Sequence, residues 1–211
     1  MAALTALRPE VLTYLPGVPV ALADDAILKA VIEFCNRSRA YRFTPAQIAV
    51  VASTANYTIS DLPTGTAIAW LLKAEMDGIE ESLSLSDGAS LPLSYATETG
   101  TPDFAIVYSS TQIGLRKVPD ASGTLDVSLA LRPSLTATIY PDDLHNLYQD
   151  RIAAGALAKL YATPKKPWSE PNLVLDCRNR FEEGIRMAEY RADRGSSNAP
   201  ARSTLCLIGG R

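Results

Sequence analysis

Three features of this 211-residue chain predict an α+β fold. Apolar residues recur at helical spacing near both ends, between Leu22 and Arg39 and again between Leu144 and Ala192. Between these ends the period falls to two, most clearly at Leu125, Val127, Leu129 and Leu131, which alternate with Asp126, Ser128 and Ala130. After Arg194 the stretch Gly195-Ser196-Ser197-Asn198-Ala199-Pro200 cannot continue a helix. The expected architecture is a small α-helical bundle drawn from residues 1–43 and 141–194. A β-rich lobe is inserted at 44–140, and an extended C-terminal arm covers 195–211.

The first element is a short helix opened by Pro9 and Glu10 and stopped by Pro16-Gly17-Val18-Pro19. A longer helix follows over 22–39. Asp24 and Asp25 are expected near its N-terminus and Arg37 and Arg39 at its C-terminus, each on the side the macrodipole favours. Its stripe is Ile27, Leu28, Val31, Ile32, Phe34 and Cys35. Residues 47–53 and 56–59 read as strands, and Leu62-Pro63-Thr64-Gly65 as a turn. Ile68 to Met76 reads as an apolar strand ending at the hairpin signal Asp77-Gly78, with 79–84 returning from it. Residues 86–103, rich in Ser, Thr, Gly and Pro, read as a loop. Phe104–Tyr108 and Ile113–Val118 form a second hairpin about Ser109-Ser110-Thr111. The alternating strand at 125–131 is expected to share a core with Ile68, Trp70 and Leu72 and to turn its polar residues to water.

Helix resumes after Pro141, opened by Asp142 and Asp143, with Leu144, Leu147, Tyr148, Ile152, Ala156 and Leu160 on its apolar side. The run Ala153-Ala154-Gly155-Ala156 lets another helix approach closely, although a helical Gly costs about 1 kcal/mol against Ala. The chain breaks at Thr163-Pro164-Lys165-Lys166-Pro167-Trp168. Ser169 is a candidate N-cap for a last helix whose stripe is Val174, Cys177, Phe181, Ile185, Ala188 and Ala192. Asp176 with Arg180, and Glu182 with Arg186, are spaced to pair on its wet side.

Composition narrows the function classes. The chain is 47% hydrophobic and 20% charged, with mean hydropathy +0.03, as in a folded protein rather than a disordered one. A net charge of −3 does not advertise a phosphate-binding surface. Cys35, Cys177 and Cys206 are odd in number and widely spaced, which argues for free thiols in a reducing cytosol rather than a disulfide framework. No apolar run reaches 18 residues, and the N-terminal segment, interrupted by Arg8 and Glu10, does not read as a signal peptide.

Catalytic signatures are missing from the sequence. His145 is the single histidine, next to Asp142, Asp143 and Asn146, with no nameable nucleophile or orienting group. The pairs Asp24-Asp25, Glu80-Glu81, Asp142-Asp143 and Glu182-Glu183 are adjacent in sequence and so do not face each other on a helix. Phosphate-cradling glycine loops, a nucleophile elbow and calcium-loop spacing are absent. Lys165-Lys166 beside Trp168 reads as a solvated turn. We therefore assign no catalytic, cofactor-binding or metal residues, and expect a non-enzyme. What remains is the tail, where Leu205-Cys206-Leu207-Ile208 would be a sticky patch in water. An arm that docks on a partner, for instance by strand addition, explains it; the competing reading folds the arm onto its own domain.

The order of elements resembles that of the head-to-tail adaptor proteins of tailed bacteriophages. The stretches that carry the resemblance are Tyr14-Leu15-Pro16-Gly17-Val18-Pro19, the helix containing Ala30-Val31-Ile32-Glu33-Phe34-Cys35, and Thr97-Glu98-Thr99-Gly100-Thr101-Pro102. The last of these is followed by Phe104, where similar sequences more usually have Tyr. A further stretch is Gly155-Ala156-Leu157-Ala158-Lys159-Leu160-Tyr161, leading to Pro164-Lys165-Lys166-Pro167-Trp168-Ser169-Glu170-Pro171. The residues also have folding reasons: Gly100 can take a positive φ, and Pro102 stiffens the next turn. The resemblance implies a virion protein of the phage neck, assembled in the host cytoplasm. It implies a homo-oligomeric ring of about twelve copies beneath the portal protein, joined distally to a tail or neck protein. DNA would pass through the lumen without sequence-specific binding, and no membrane is involved. Under this reading the portal-binding residues are Arg194, Arg202, Leu205, Leu207, Ile208 and Arg211, and the small residues from Ala153 to Ala158 would make lateral contacts between copies. The alternatives are another neck part, such as a stopper or tail-completion protein, and a soluble ligand-binding module.

Overall fold

A computed structural model describes residues 1–77, 82–86, 91, 94 and 97–194. Its elements are mixed α and β. Strand β1 (Ala2–Ala3) leads through a 3-10 turn at Leu4–Leu7 into α1 (Arg8–Leu12) and α2 (Val20–Ser38). Strands β2 (Arg42–Phe43), β3 (Ile48–Val50), β4 (Asn56–Thr58), β5 (Thr66–Met76), β6 (Ser84–Ser86) and β7 (Thr99–Gly100) come next. They are followed by β8 (Phe104–Ser109), β9 (Gln112–Arg116), β10 (Val118–Pro119), β11 (Gly123–Pro133) and β12 (Ile139–Tyr140). The described chain closes with α3 (Asp142–Tyr161) and α4 (Pro171–Arg194).

The strand at the centre is β11. It pairs antiparallel with β5 along one edge and with β3 and β2 along the other, and α2 packs against it. Leu125, Val127, Leu129 and Leu131 are buried, as the alternation predicts. The expected core partners on β5 are only partly right. Nine residues of β11 face eleven of β5, because register shifts fall between Ser128 and Leu129 and between Ala130 and Leu131. Ile68 lies opposite Leu131 while Trp70 lies opposite Ala130. A bulge of this kind flips the following side chain to the other face. Ile68 is therefore buried and Trp70 is 47% exposed, and Ala74 and Met76 fill the core positions assigned to Trp70 and Leu72. Ala130 is buried as well, so the wet face of β11 does not extend along its whole length.

A second sheet runs β4-β9-β8-β6, and the β8–β9 hairpin forms about Ser109–Thr111 as expected. Among the described residues, no ladder joins the return from Asp77-Gly78 to β5. Residues 78–81 lie outside the described ones, Leu83 N–H donates to Ala74 C=O at 2.9 Å, and β6 pairs in parallel with β8. Gly100 has no positive φ; it pairs with Pro119 in the short β7–β10 ladder. Glycine freedom is used elsewhere. At the 62–65 turn Gly65 has φ +75°, and a Cβ there would lie 3.6 Å from Ala137 Cα.

Helix α2 begins at Val20, so Asp24 and Asp25 fall in its second turn, where they pair with Arg8 and Lys29 instead of serving the helix end. It stops at Arg39, which takes the left-handed conformation (φ 52°) and donates its amide to Cys35 C=O. Ser169 does not cap α4. The helix opens at Pro171, and the Ser169 hydroxyl donates to Tyr161 C=O at 3.4 Å. Helices α3 and α4 approach closely through a glycine on each. A Cβ on Gly155 would lie 2.5 Å from the Phe181 ring, and one on Gly184 would lie 2.5 Å from Arg151 Cβ. Ala153, Ala154, Ala156 and Ala158 are all buried inside this one chain. The close approach read from these small residues thus takes place between two helices of one molecule, which corrects the expectation of contacts between copies.

One contiguous core links these layers, from Leu4 and Val11 through α2 and β11 to Phe181, Ile185 and Ala188. Phe34, fully buried, stands between Tyr148 and Phe181 at ring-centroid distances of 5.3 and 6.1 Å.

Candidate interaction surface at the end of the last helix

The helix α4 turns Cys177, Phe181, Ile185 and Ala188 to the core and leaves Leu173, Met187 and Tyr190 substantially exposed. Its last turn carries Arg191 and Arg194, cations on the side the helix dipole favours. Arg194 is the one candidate arm residue within the described residues, and its guanidinium lies 4.3 Å from the Tyr190 ring centroid. Arg202, Leu205, Leu207, Ile208 and Arg211 lie outside the described residues, as does Cys206.

A ladder of ion pairs fastens this helix to the chain leaving α2. Arg37 forms a two-pronged pair with Glu182 (2.6 and 2.5 Å), Arg39 reaches Glu189 at 3.9 Å, and Arg42 reaches Asp193 at 3.3 Å. The outer rungs are solvent-exposed and contribute little individually. The inner end is a hub. Glu33 meets Lys159 of α3 and Arg178 of α4, each at 2.7 Å, and Arg37 of its own helix at 3.5 Å. Partial burial acts to raise the Glu33 carboxyl, yet the hydrogen bonds from Lys159 and Arg178 outweigh it and hold the group below its ordinary value. Glu182 is likewise lowered, chiefly by Arg37. Sequence spacing pointed instead to a Glu182–Arg186 pair. Glu182 is taken instead by Arg178, four residues earlier on the same helix, and by Arg37 of α2, and only the packing of α2 on α4 shows the Arg37 partner.

Beside the last rungs lies an open groove of about 440 Å³. Its floor is Leu144, Tyr148 and Ala188, all buried. Ala40, Leu147 and Ala192 form walls, and Arg42, Asp143 and Arg191 lie at its rim. Leu147 belongs to the apolar stripe of α3, yet it is 49% exposed here. Across the Arg42–Asp193 pair a second open groove, with Phe43, Leu72 and Lys73, faces the β5–β11 sheet. Trp70 closes the junction: its indole N–H donates to Asn36 C=O at 2.7 Å, and Arg39 stacks 5.3 Å from its ring.

No family model matches the chain, and no curated protein does.

The remaining chemical candidates have structural surroundings. His145 is half-buried, with Nδ1 hydrogen-bonded to the Tyr140 hydroxyl at 2.7 Å and the two rings edge to face. Burial pushes the Tyr140 phenol well above its usual range. Cys35 and Cys177 are buried free thiols, and burial raises both, Cys35 to about 12, so neither offers a thiolate near neutral pH. Lys165 and Lys166 are exposed, whereas Trp168 packs against the core. Among the described residues, no group of three or more His, Cys, Asp or Glu side chains is placed to hold a metal. No described helix is long and apolar enough to cross a membrane.

Proposed function

We propose that this chain is a structural head-to-tail adaptor of a phage neck, a ring-forming protein that joins the portal to the tail. In this reading a helical bundle, built from both ends of the sequence, carries the residues 44–140 as a β-rich lobe. The arm from about residue 195 to 211 docks on the portal. One observation carries the reading. A contiguous core is already formed between Leu4 and Ala188, and α4 then delivers the chain at Arg194 to the molecular surface, ahead of the apolar run Leu205–Ile208. The resemblance in the order of elements supplies the partner, and repetition around a ring turns a modest contact per copy into firm attachment. Truncation after Gly195 tests it. The melting temperature is expected to stay nearly unchanged while co-sedimentation with portal particles is lost. A truncated protein that unfolds, or that still attaches, removes the arm from its role. Full-length protein that forms no complex with portal, as seen by negative-stain imaging, ends the adaptor reading.

A further inference from the structure

The groove beside Arg42 and the arm meet at one place. Arg191 and Ala192 line the groove, and the described helix ends two residues later at Arg194. Its floor is core-like, but Leu147 above it is half-exposed, so apolar surface is open there. The chain beyond Arg194 contains an apolar run of matching character, Leu205 to Ile208, after the ten residues 195–204. The eleven steps from Arg194 to Leu205 span at most about 40 Å when extended. Doubling back to Ala188 requires only two turns of helix, about 11 Å. The rim carries Asp143 beside Arg42 and Arg191, so the apolar fit and the tether, not charge, carry the seating.

We propose that, in the free protein, Leu205–Ile208 occupies this groove of its own chain as a latch, and that docking on the portal releases it. The proposal rests on the adaptor reading for what displaces the run, but not for the groove it fills. A short tether gives the run a millimolar effective concentration at the groove, so a modest contact suffices to hold it. Seating also hides four consecutive apolar residues that would otherwise promote self-association before assembly.

Cys206, in the middle of the run, makes the latch testable in the full chain without portal, because Cys35 and Cys177 are buried. Under mild oxidation Leu147→Cys is expected to form a disulfide with Cys206 within one chain, at least about tenfold faster than Met187→Cys. Met187 is 52% exposed, stands next to Ala188 and so within equal reach of the arm, but does not line the groove. Non-reducing electrophoresis and peptide mass mapping read the products. Equal rates at the two positions, or disulfide-linked dimers as the main product, overturn the latch. A second readout uses the native thiol: Leu147→Asp is expected to speed maleimide labelling of Cys206 by about tenfold, and an unchanged rate counts against seating. The two readings fail separately. A latch crosslink without portal attachment leaves the latch and ends the adaptor reading; attachment without the crosslink does the reverse.

Discussion

Gly155 is a residue where local propensity and packing pull in opposite directions. Ala would improve the isolated helix by about 1 kcal/mol. In the fold, however, the new methyl would meet the Phe181 ring at 2.5 Å, and Phe181 is fully buried against Phe34. The ring cannot swing away, so Gly155→Ala is expected to destabilise by about 1–3 kcal/mol, read as a lower urea midpoint. Glu33 governs the response to acid. Its folded pKa, like that of Glu182, lies below the unfolded one. The stabilisation is therefore fully present above the ordinary glutamate value of about 4, and is lost as pH falls through the folded values. Urea midpoints measured from neutral pH downward should drop across that acid range. Glu33→Gln should cost about 1–2 kcal/mol at pH 7, because Lys159 and Arg178 lose their acceptor, and should flatten the acid limb. An acid limb as steep as the parent's would show that Glu33 is not its origin.

At the scale of elements, β11 is the strand the rest is built around, with β5 on one side, β2 and β3 on the other and α2 across its face. Val127 is buried, and its neighbour Asp126 is exposed. Val127→Asp places a carboxylate where water is excluded and should cost several kcal/mol, on the order of 3 or more. Asp126→Ala, on the outer face, should shift the melting temperature little. If Val127→Asp melts like the parent, the facing of β11 is wrong. Trp70 offers the converse test of the bulges. Because it points outward, Trp70→Phe loses the indole hydrogen bond to Asn36 and part of the Arg39 stacking, about 1–2 kcal/mol together, rather than the larger penalty of emptying a core position.

At the scale of the whole molecule, helices and sheets share one apolar core instead of holding one each. Elements that bury surface against each other lose it together, so one cooperative transition is expected. The two tryptophans make this measurable, since Trp70 reports the sheet–α2 junction and Trp168 the α3–α4 connection. In Trp168→Phe and in Trp70→Phe, the remaining fluorescence should change at the same denaturant concentration as the far-ultraviolet circular dichroism. A separate midpoint at Trp70 would mean that the β-rich part unfolds on its own.

Periodicity and punctuation by themselves determined the mixed α+β class, the places of α2, α3 and α4, the β8–β9 hairpin and the inward side of β11. Each of these depends on a repeat that is local in the chain: 3.6 residues for a helix face, two for a strand. Tertiary structure alone decided the rest, because the deciding contacts join residues far apart in sequence. The bulges that turn Trp70 outward arise from fitting eleven residues of β5 to nine of β11. The salt-bridge hub at Glu33 gathers Lys159 and Arg178 from helices more than a hundred residues away. The Ala153–Ala158 run shows the boundary most plainly. Its small side chains foretell a close helix neighbour, but a helix surface carries no mark of which chain that neighbour belongs to. Only the packed α3–α4 pair, with Phe181 over Gly155, shows that the partner is the same molecule.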